Sequence, residues 1–244
     1  MSILKAENIS KMFDGELIID HINIELHKGE IVSILGVSGV GKTTLFNILS
    51  GLMKPDNGCV YMEDNDVTGV PGNVSYMLQK DLLLSHLKII DNVSLPLVIN
   101  GMKKRQAREI VRPLFTQFKL EGCEDKYPCQ LSGGMRQRAA FFRTYMSSKG
   151  VVLLDEPFSA LDTLTKSAMH QWYMDVIKDM DISTIFITHD IDEAIKLSDR
   201  IYVLSGKPGK VSLTITIDRD IKQDEDFQFS AEYTQYKKSI LKAL

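Results

Sequence analysis

A short apolar stretch near the start of the chain runs into a glycine-rich loop, which leads in turn into a helical stretch. Residues 31–35 are apolar and β-branched, which is typical of a strand, and residues 36–43 have the spacing Gly-x4-Gly-Lys-Thr. Residues 43–52 are typical of a helix that ends near Gly51 and Pro55. The order strand, glycine loop, helix indicates an α/β fold and predicts a phosphate-binding loop.

The residues of this loop have the properties that a bound triphosphate requires. Three glycines let the backbone wrap without Cβ clashes, and successive N–H groups that lead into a helix N-terminus suit an anion. Lys42 would supply a point charge to the β- and γ-phosphates, and the Thr43 hydroxyl is the expected Mg²⁺ ligand. We therefore expect ATP and Mg²⁺ here; the alternative is a chance glycine-rich turn. The predicted ATP-binding residues of the loop are Gly36, Val37, Ser38, Gly39, Val40, Gly41, Lys42, Thr43 and Thr44.

A later apolar stretch ends in two adjacent carboxylates. Residues 151–154 are typical of a buried parallel strand, and Asp155, Glu156 and Pro157 follow it. We expect Asp155 to hold Mg²⁺, directly or through water. Glu156 would then face the γ-phosphate and polarise the attacking water as a general base. The alternative is an acidic pair that caps the helix after Pro157.

Residues 131–138 open a basic helix with the sequence Leu-Ser-Gly-Gly-Met-Arg-Gln-Arg. Ser132 as N-cap, together with the free N–H groups of Gly133 and Gly134, would make a second anion site; the alternative is a plain helix start. One phosphate cluster hardly needs two such sites from one chain. The three segments together resemble the ATP-binding-cassette (ABC) family, in which two copies clamp two ATP molecules between them.

That resemblance implies where the second anion site acts. Ser132, Gly133 and Gly134 would bind the ATP held by the other subunit, so that ATP binding drives formation of a homodimer. Residues 159–162, which end in Asp162, would communicate across this interface, and Asp162 joins the predicted ATP-binding residues.

The resemblance also implies roles for three isolated residues. Gln79 would contact Mg²⁺ and the water, and would couple nucleotide state to the helical region. His189 would hydrogen-bond the γ-phosphate and help to place the water, although a lone histidine at a strand end is more often structural. Phe13 would stack on adenine, with a packed turn residue as the alternative. The predicted catalytic residues are thus Glu156, His189, Gln79 and Lys42, and the predicted metal ligands are Thr43, Gln79 and Asp155.

The rest of the chain predicts its organisation. Short strands are expected in the first sixty residues, and residues 82–148 are expected to form a helical insertion. Within the insertion, Pro113 should kink or restart a helix over residues 105–120. The resemblance covers residues 1–217 and implies an α/β P-loop NTPase core of the RecA-like kind, with an N-terminal antiparallel β subdomain and an inserted α-helical subdomain.

The tail, residues 218–244, begins with a polar, acidic segment. A helical apolar stripe follows, which we expect to dock on the core; a partner-binding helix is the alternative. The stripe consists of Phe229, Tyr233, Tyr236, Ile240 and Leu244.

Composition excludes several classes of function. A net charge of −3 leaves no broad basic footprint, so we expect no nucleic-acid partner. No apolar run approaches the ~20 residues that cross a bilayer, and residues 1–7 lack a signal-peptide core, so we expect a protein that is soluble by itself. Any membrane role must then come through a partner. Cys59, Cys123 and Cys129 are expected to be reduced thiols.

The resemblance is compatible with three kinds of ABC ATPase: the energy subunit of an importer, that of an efflux system, and a soluble member that acts on DNA or ribosomes. DNA-acting relatives carry long coiled coils between the glycine loop and the Ser-Gly-Gly motif, and the 95 positions from Gly36 to Leu131 (131 − 36 = 95) leave no room for them. Ribosome-acting relatives need two cassettes in one chain, whereas this sequence has a single set of motifs. Residues 188–205, 208–211 and 91–97 resemble importers of the nitrate/sulfonate/taurine type, and thiamine-precursor importers are similar.

This resemblance implies transmembrane permease subunits as partners, indirectly a substrate-binding protein, and a location on the cytoplasmic face of the membrane. Residues 80–99 would form the groove for a permease coupling helix. Leu84, Ser85 and His86 replace a frequent Pro-aromatic segment at this predicted surface.

Overall fold

The computed structural model describes residues 2–159, 162–218, 222 and 226–244. The four strands of an antiparallel sheet, in the order β2-β1-β4-β5, all lie within the first 66 residues. Its strands are β1 (Ser2–Phe13), β2 (Glu16–His27), β4 (Asn57–Met62) and β5 (Asn65–Asp66). The expected N-terminal antiparallel β subdomain is therefore confirmed.

The second sheet has six strands in the order β10-β9-β3-β8-β7-β6. Five of them run parallel, and β10 pairs antiparallel with β9 at one edge. Every residue of β3, β7 and β8 is buried, as expected for strands covered on both faces. The strands are β3 (Ile31–Gly36), β6 (Ser75–Met77), β7 (Val151–Asp155), β8 (Ser183–Thr188), β9 (Arg200–Ser205) and β10 (Lys210–Thr216).

The register of this sheet gathers three strand ends at one edge. Leu35 pairs with Thr188, and Asp155 pairs with Ile187. In the chain the glycine loop follows Leu35, the second carboxylate of the acidic pair follows Asp155, and the predicted histidine follows Thr188. Helix α1 (Lys42–Leu49) continues from the loop, and α5 (Thr163–Met180) and α6 (Ile191–Leu197) flank β8 in the sequence.

The helical insertion lies between β6 and β7. It contains α2 (Ile89–Ile99), α3 (Lys104–Val111) and α4 (Gly133–Tyr145), with a 3-10 turn at Arg112–Phe115. The predicted interruption at Pro113 is confirmed, because α3 ends at Val111. Aromatic rings join the insertion to the core: Phe141 of α4 packs edge-on against Trp172 of α5, with centroids 5.7 Å apart.

A final helix, α7 (Ala231–Ala243), packs beside α6. Tyr233 and Ile240 are buried, and the Tyr233 hydroxyl donates to Asp192 over 2.6 Å. The prediction for Phe229 is wrong, since this residue lies in a 3-10 turn before the helix and is 78% exposed. Leu244 lies beyond the end of the helix and is 38% exposed, so it too falls outside the docked stripe. Much of the predicted acidic segment, residues 219–221 and 223–225, lies outside the described residues.

Candidate functional site

The glycine loop closes around the side chain of Lys42. The Lys42 Nζ donates to the carbonyls of Gly36 and Val37 over 2.7 and 2.9 Å. Gly41 has φ 102°, and a Cβ there would collide with the side chain of Ile19. At Gly36 a Cβ would lie 2.6 Å from the carbonyl of Leu204. These two positions therefore require glycine for the loop to keep its shape.

The loop residues differ in exposure. The Val40 side chain is buried in the core, whereas Val37, Ser38, Gly39 and Thr43 are exposed. A cleft of about 260 Å³ opens over the loop. Its lining residues are Ile18, Ser38, Gly39, Gly41, Lys42, Thr43, Thr44, Asp155, Glu156 and Ile187. The structure thus brings the predicted loop and the predicted acidic pair to one cleft.

Lys42 and Asp155 are both buried at the base of this cleft. Burial lowers the pKa of Lys42, while the charges of Glu156 and Asp155 oppose that shift. Burial likewise raises the pKa of Asp155, against the hydrogen bond from the Tyr76 hydroxyl. The Tyr76 hydroxyl lies 3.3 Å from Asp155 Oδ2.

Glu156 is held by residues from two other segments. Its Oε2 accepts from Gln79 Nε2 over 3.1 Å, and its Oε1 lies 3.2 Å from His189 Nδ1. Gln79 Nε2 also lies 3.4 Å from Ser159 Oγ. The three predicted catalytic residues Glu156, Gln79 and His189 therefore form one cluster at the mouth of the cleft, with Lys42 at its base.

The residues that flank His189 in the chain take part in a network of hydrogen bonds and ion pairs that the sequence does not predict. Thr188 Oγ1 donates to the buried Glu193 over 2.6 Å, and Asp190 caps α6. Lys166 reaches from α5 to both Asp190 (3.0 Å) and Glu193 (2.5 Å). The sequence signals for this network are Asp190 and Glu193, in the motif that contains the histidine; Lys166 has none.

The Ser-Gly-Gly segment begins α4, as predicted. Ser132 is its N-cap and its Oγ accepts from Met135 N over 3.3 Å. As far as the chain is described, the residues that line the glycine-loop cleft do not include Ser132, Gly133 or Gly134. A separate cavity of about 560 Å³ reaches Gly133, with Gln79 and Ser159 also in its wall.

Two other predicted ATP-binding residues lie outside the glycine-loop cleft. Asp162 caps α5 by accepting from Thr165 N over 3.1 Å. Ala160 and Leu161, in the same predicted loop, lie outside the described residues. Phe13 ends β1, is 41% exposed, and has the Lys11 ammonium 5.6 Å from its ring centroid.

An apolar groove of about 410 Å³ lies between β6 and the helical insertion. Leu78, Leu82 and Ile99 line it and are 43%, 52% and 74% exposed. Arg143 supports one wall by donating to the carbonyls of Asp81 and Leu82, each over 2.7 Å. The groove falls on the surface that residues 80–99 were predicted to form.

A parallel sheet with a glycine loop after β3 and an acidic pair after β7 defines a P-loop nucleoside triphosphatase. A family model described as ABC transporter matches residues 19–159. The formylaminopyrimidine import ATP-binding protein ThiZ of Halalkalibacterium halodurans is 40% identical over 241 residues, which are 98% of this chain and 94% of that protein. The chain therefore belongs to the ABC transporter family, and it is an ATPase.

Two further similarities support this membership. The sulfate/thiosulfate import ATP-binding protein CysA of Nephroselmis olivacea is 38% identical over 208 residues, which are 84% of this chain and 60% of that protein. The dimeric post-hydrolysis state of the ATP-binding cassette MJ0796, bound to ADP and Pi, gives a TM-score of 0.75 at 28% identity. That match covers 88% of this chain and 99% of the cassette. Among the described residues, no helix is long and apolar enough to cross a membrane.

Proposed function

We propose that the chain is the ATP-hydrolysing subunit of an importer for a small anion or organic solute, of the nitrate/sulfonate/taurine type. Two curated relatives are named as import ATP-binding proteins, one for formylaminopyrimidine and one for sulfate/thiosulfate. The observation that carries the proposal is the apolar groove next to Gln79. It would provide a docking surface for a partner within a few residues of the proposed catalytic cluster.

ATP is proposed to bind over the glycine loop. Backbone N–H groups from Gly36 to Thr44 would surround the phosphates, and Lys42 would exchange its two carbonyl contacts for phosphate oxygens. The exposed Phe13 would stack on the adenine.

The donor set at the base of the cleft fits a magnesium ion. The Thr43 hydroxyl and the Asp155 carboxylate both line the cleft that Glu156 shares. Hard oxygen ligands of this kind suit Mg²⁺, and the amide oxygen of Gln79 would add a third. When bound, Mg²⁺ would neutralise charge on the phosphate oxygens.

Glu156 is proposed as the general base. Gln79 and His189 flank its carboxylate on opposite oxygens and so fix its orientation toward the cleft. His189 would in addition donate to the γ-phosphate, and Gln79 would help to place the attacking water.

A second copy of the chain is proposed to complete the site. Ser132, Gly133 and Gly134 form a helix N-terminus and are not among the residues that line their own glycine-loop cleft, so they would be available to the ATP of a partner. Asp162 would contribute near the same interface. ATP would then be part of the contact between the two subunits, which makes dimerisation nucleotide-dependent.

The groove is proposed to receive a helix of a transmembrane permease, and this would place the protein at the cytoplasmic face of the membrane. A substrate-binding protein would act on the permease, without contacting this chain. Closure of the dimer would move the groove through Gln79 and so change the access of the permease.

The direction of transport can be measured in cells. Cells that lack the chain should accumulate less labelled nitrate, sulfonate or taurine than cells complemented with the wild type, and Glu156→Gln should not restore uptake. Higher accumulation in the deficient cells would indicate efflux and overturn the import proposal.

The docking surface can be tested by crosslinking in membranes. In a Cys129→Ser background, Ile99→Cys should crosslink to a multi-spanning membrane protein, because Ile99 is 74% exposed in the groove. The matched control is Leu241→Cys on α7, which is 58% exposed and should give no such product. Equal crosslinking at both positions, or none at Ile99→Cys, would contradict the proposed groove.

A further inference from the structure

Tyr76 lies at the centre of β6, in register with Leu153 of β7. Its ring packs edge-on against Phe46 of α1, with centroids 5.7 Å apart and an interplanar angle of 80°. Its hydroxyl lies 3.3 Å from Asp155 Oδ2. The ring is thus held by the helix that follows the glycine loop, while the hydroxyl reaches the carboxylate at the end of the neighbouring strand.

The Asp155 side chain has little contact with solvent. The residue is 9% exposed, and its neighbours on β7 are fully buried. A hydrogen bond to one oxygen of such a carboxylate fixes its rotation, and therefore the direction of the other oxygen. The Thr43 hydroxyl lines the same cleft as this carboxylate. The hydrogen bond from the Tyr76 hydroxyl therefore limits how the Asp155 carboxylate is presented to the cleft.

From this geometry we propose that Tyr76 is a positioning residue for magnesium: its hydroxyl holds the Asp155 carboxylate in the orientation that binds the ion. The inference rests on the proposed role of Asp155 as a metal ligand. Partners in the second shell of a metal site orient the ligands, and their loss typically weakens metal affinity by about 10–100-fold.

Nearby contacts show that one short segment holds both carboxylates of the acidic pair. Gln79, three residues after Tyr76, donates to Glu156 over 3.1 Å. The Tyr76 hydroxyl thus contacts Asp155, the first carboxylate of the pair, and the Gln79 amide contacts Glu156, the second. A purely structural role for Tyr76 would require only its ring, which a phenylalanine supplies equally well.

The test compares Tyr76→Phe with the wild type in equilibrium binding. A fluorescent, non-hydrolysable ATP analogue is titrated with Mg²⁺, and the analogue alone is titrated in EDTA. Tyr76→Phe should raise the Mg²⁺ concentration for half-saturation about tenfold while leaving affinity in EDTA unchanged. In ATPase assays the same variant should need more Mg²⁺ but approach the wild-type rate at saturation. With Mn²⁺ as a probe, the electron paramagnetic resonance spectrum of the ion bound to Tyr76→Phe should differ from that of the ion bound to the wild type.

The matched control is Tyr233→Phe, which removes a hydroxyl that donates to Asp192 over 2.6 Å on α6. This variant loses the same type of hydrogen bond outside the cleft, and its Mg²⁺ dependence should equal that of the wild type. If Tyr76→Phe also shows the wild-type Mg²⁺ dependence, the positioning role is wrong.

Asp155→Asn separates this inference from the proposed site. If Asp155→Asn weakens Mg²⁺ binding and Tyr76→Phe does not, only the role of Tyr76 fails. If Asp155→Asn leaves Mg²⁺ binding unchanged, the proposed metal site is wrong and the inference falls with it.

Discussion

At the scale of single residues, the backbone of Glu156 is unusual. Its φ of 46° lies in the left-handed region, which residues other than glycine adopt rarely. The conformation is held by a hydrogen bond from its N–H to the carbonyl of Ile187 over 3.1 Å, and by the two contacts of its carboxylate. Strain that is fixed from several sides is common at functional sites. It fits a carboxylate that must stay in one place.

Glu156→Gln should therefore remove hydrolysis and leave ATP binding in place. The amide keeps the size of the side chain but cannot accept a proton from water, so the rate of phosphate release should fall by about 10²-fold or more. Phosphate release and equilibrium nucleotide binding measure the two effects separately. Hydrolysis at the wild-type rate would show that Glu156 is not the general base.

At the scale of elements, α2 and α3 are joined by a carboxylate. Arg108 donates through two nitrogens to the two oxygens of Asp91, each over 2.8 Å, and Lys104 lies 3.1 Å away. The hydrogen bonds from Arg108 hold the pKa of Asp91 below its ordinary value, against the effect of burial. The insertion that forms one side of the groove is therefore braced by charge as well as by its aromatic rings.

Asp91→Asn should lower the free energy of unfolding by about 1–2 kcal/mol at pH 7. The loss stays this small because Arg108, the partner of Asp91, is partly exposed to solvent. Because the folded pKa of Asp91 is depressed, its contribution is present above the unfolded pKa and is lost as pH falls through the folded value. The difference between wild type and variant in urea unfolding should thus shrink below about pH 4. Asp125→Asn, which breaks the exposed pair with Lys88, should change stability much less. A difference that is independent of pH would contradict the assignment.

The sequence predicted those elements whose signals are local. The glycine loop, the strand that ends in Asp155 and the break at Pro113 each depend on residues that are adjacent in the chain. The contacts from Tyr76 to Asp155 and from Lys166 to Glu193 were missed, since they depend on sheet register and helix placement. Phe229 was misplaced for a related reason: Ser230 caps α7, so the helix begins only after it. That Gln79 and His189 both contact the Glu156 carboxylate could be established only from the folded structure.

At the scale of the whole molecule, the two proposed anion sites of one chain are separate. The glycine loop belongs to a cleft at the carboxyl edge of the parallel sheet, whereas Ser132 starts α4 in the helical insertion. A related cassette is dimeric with ADP and Pi bound. The central proposal is that each ATP would be held by the glycine loop of one copy and by the Ser-Gly-Gly segment of the other.

Sedimentation of nucleotide-bound protein tests this claim most directly. With ATP, Glu156→Gln should sediment as a dimer, and the double variant Glu156→Gln/Ser132→Arg should stay monomeric while binding fluorescent ATP as a single chain. The arginine would obstruct only the contact with the partner's nucleotide. A double variant that still forms the ATP-dependent dimer, or that loses ATP binding as a monomer, would contradict a shared site.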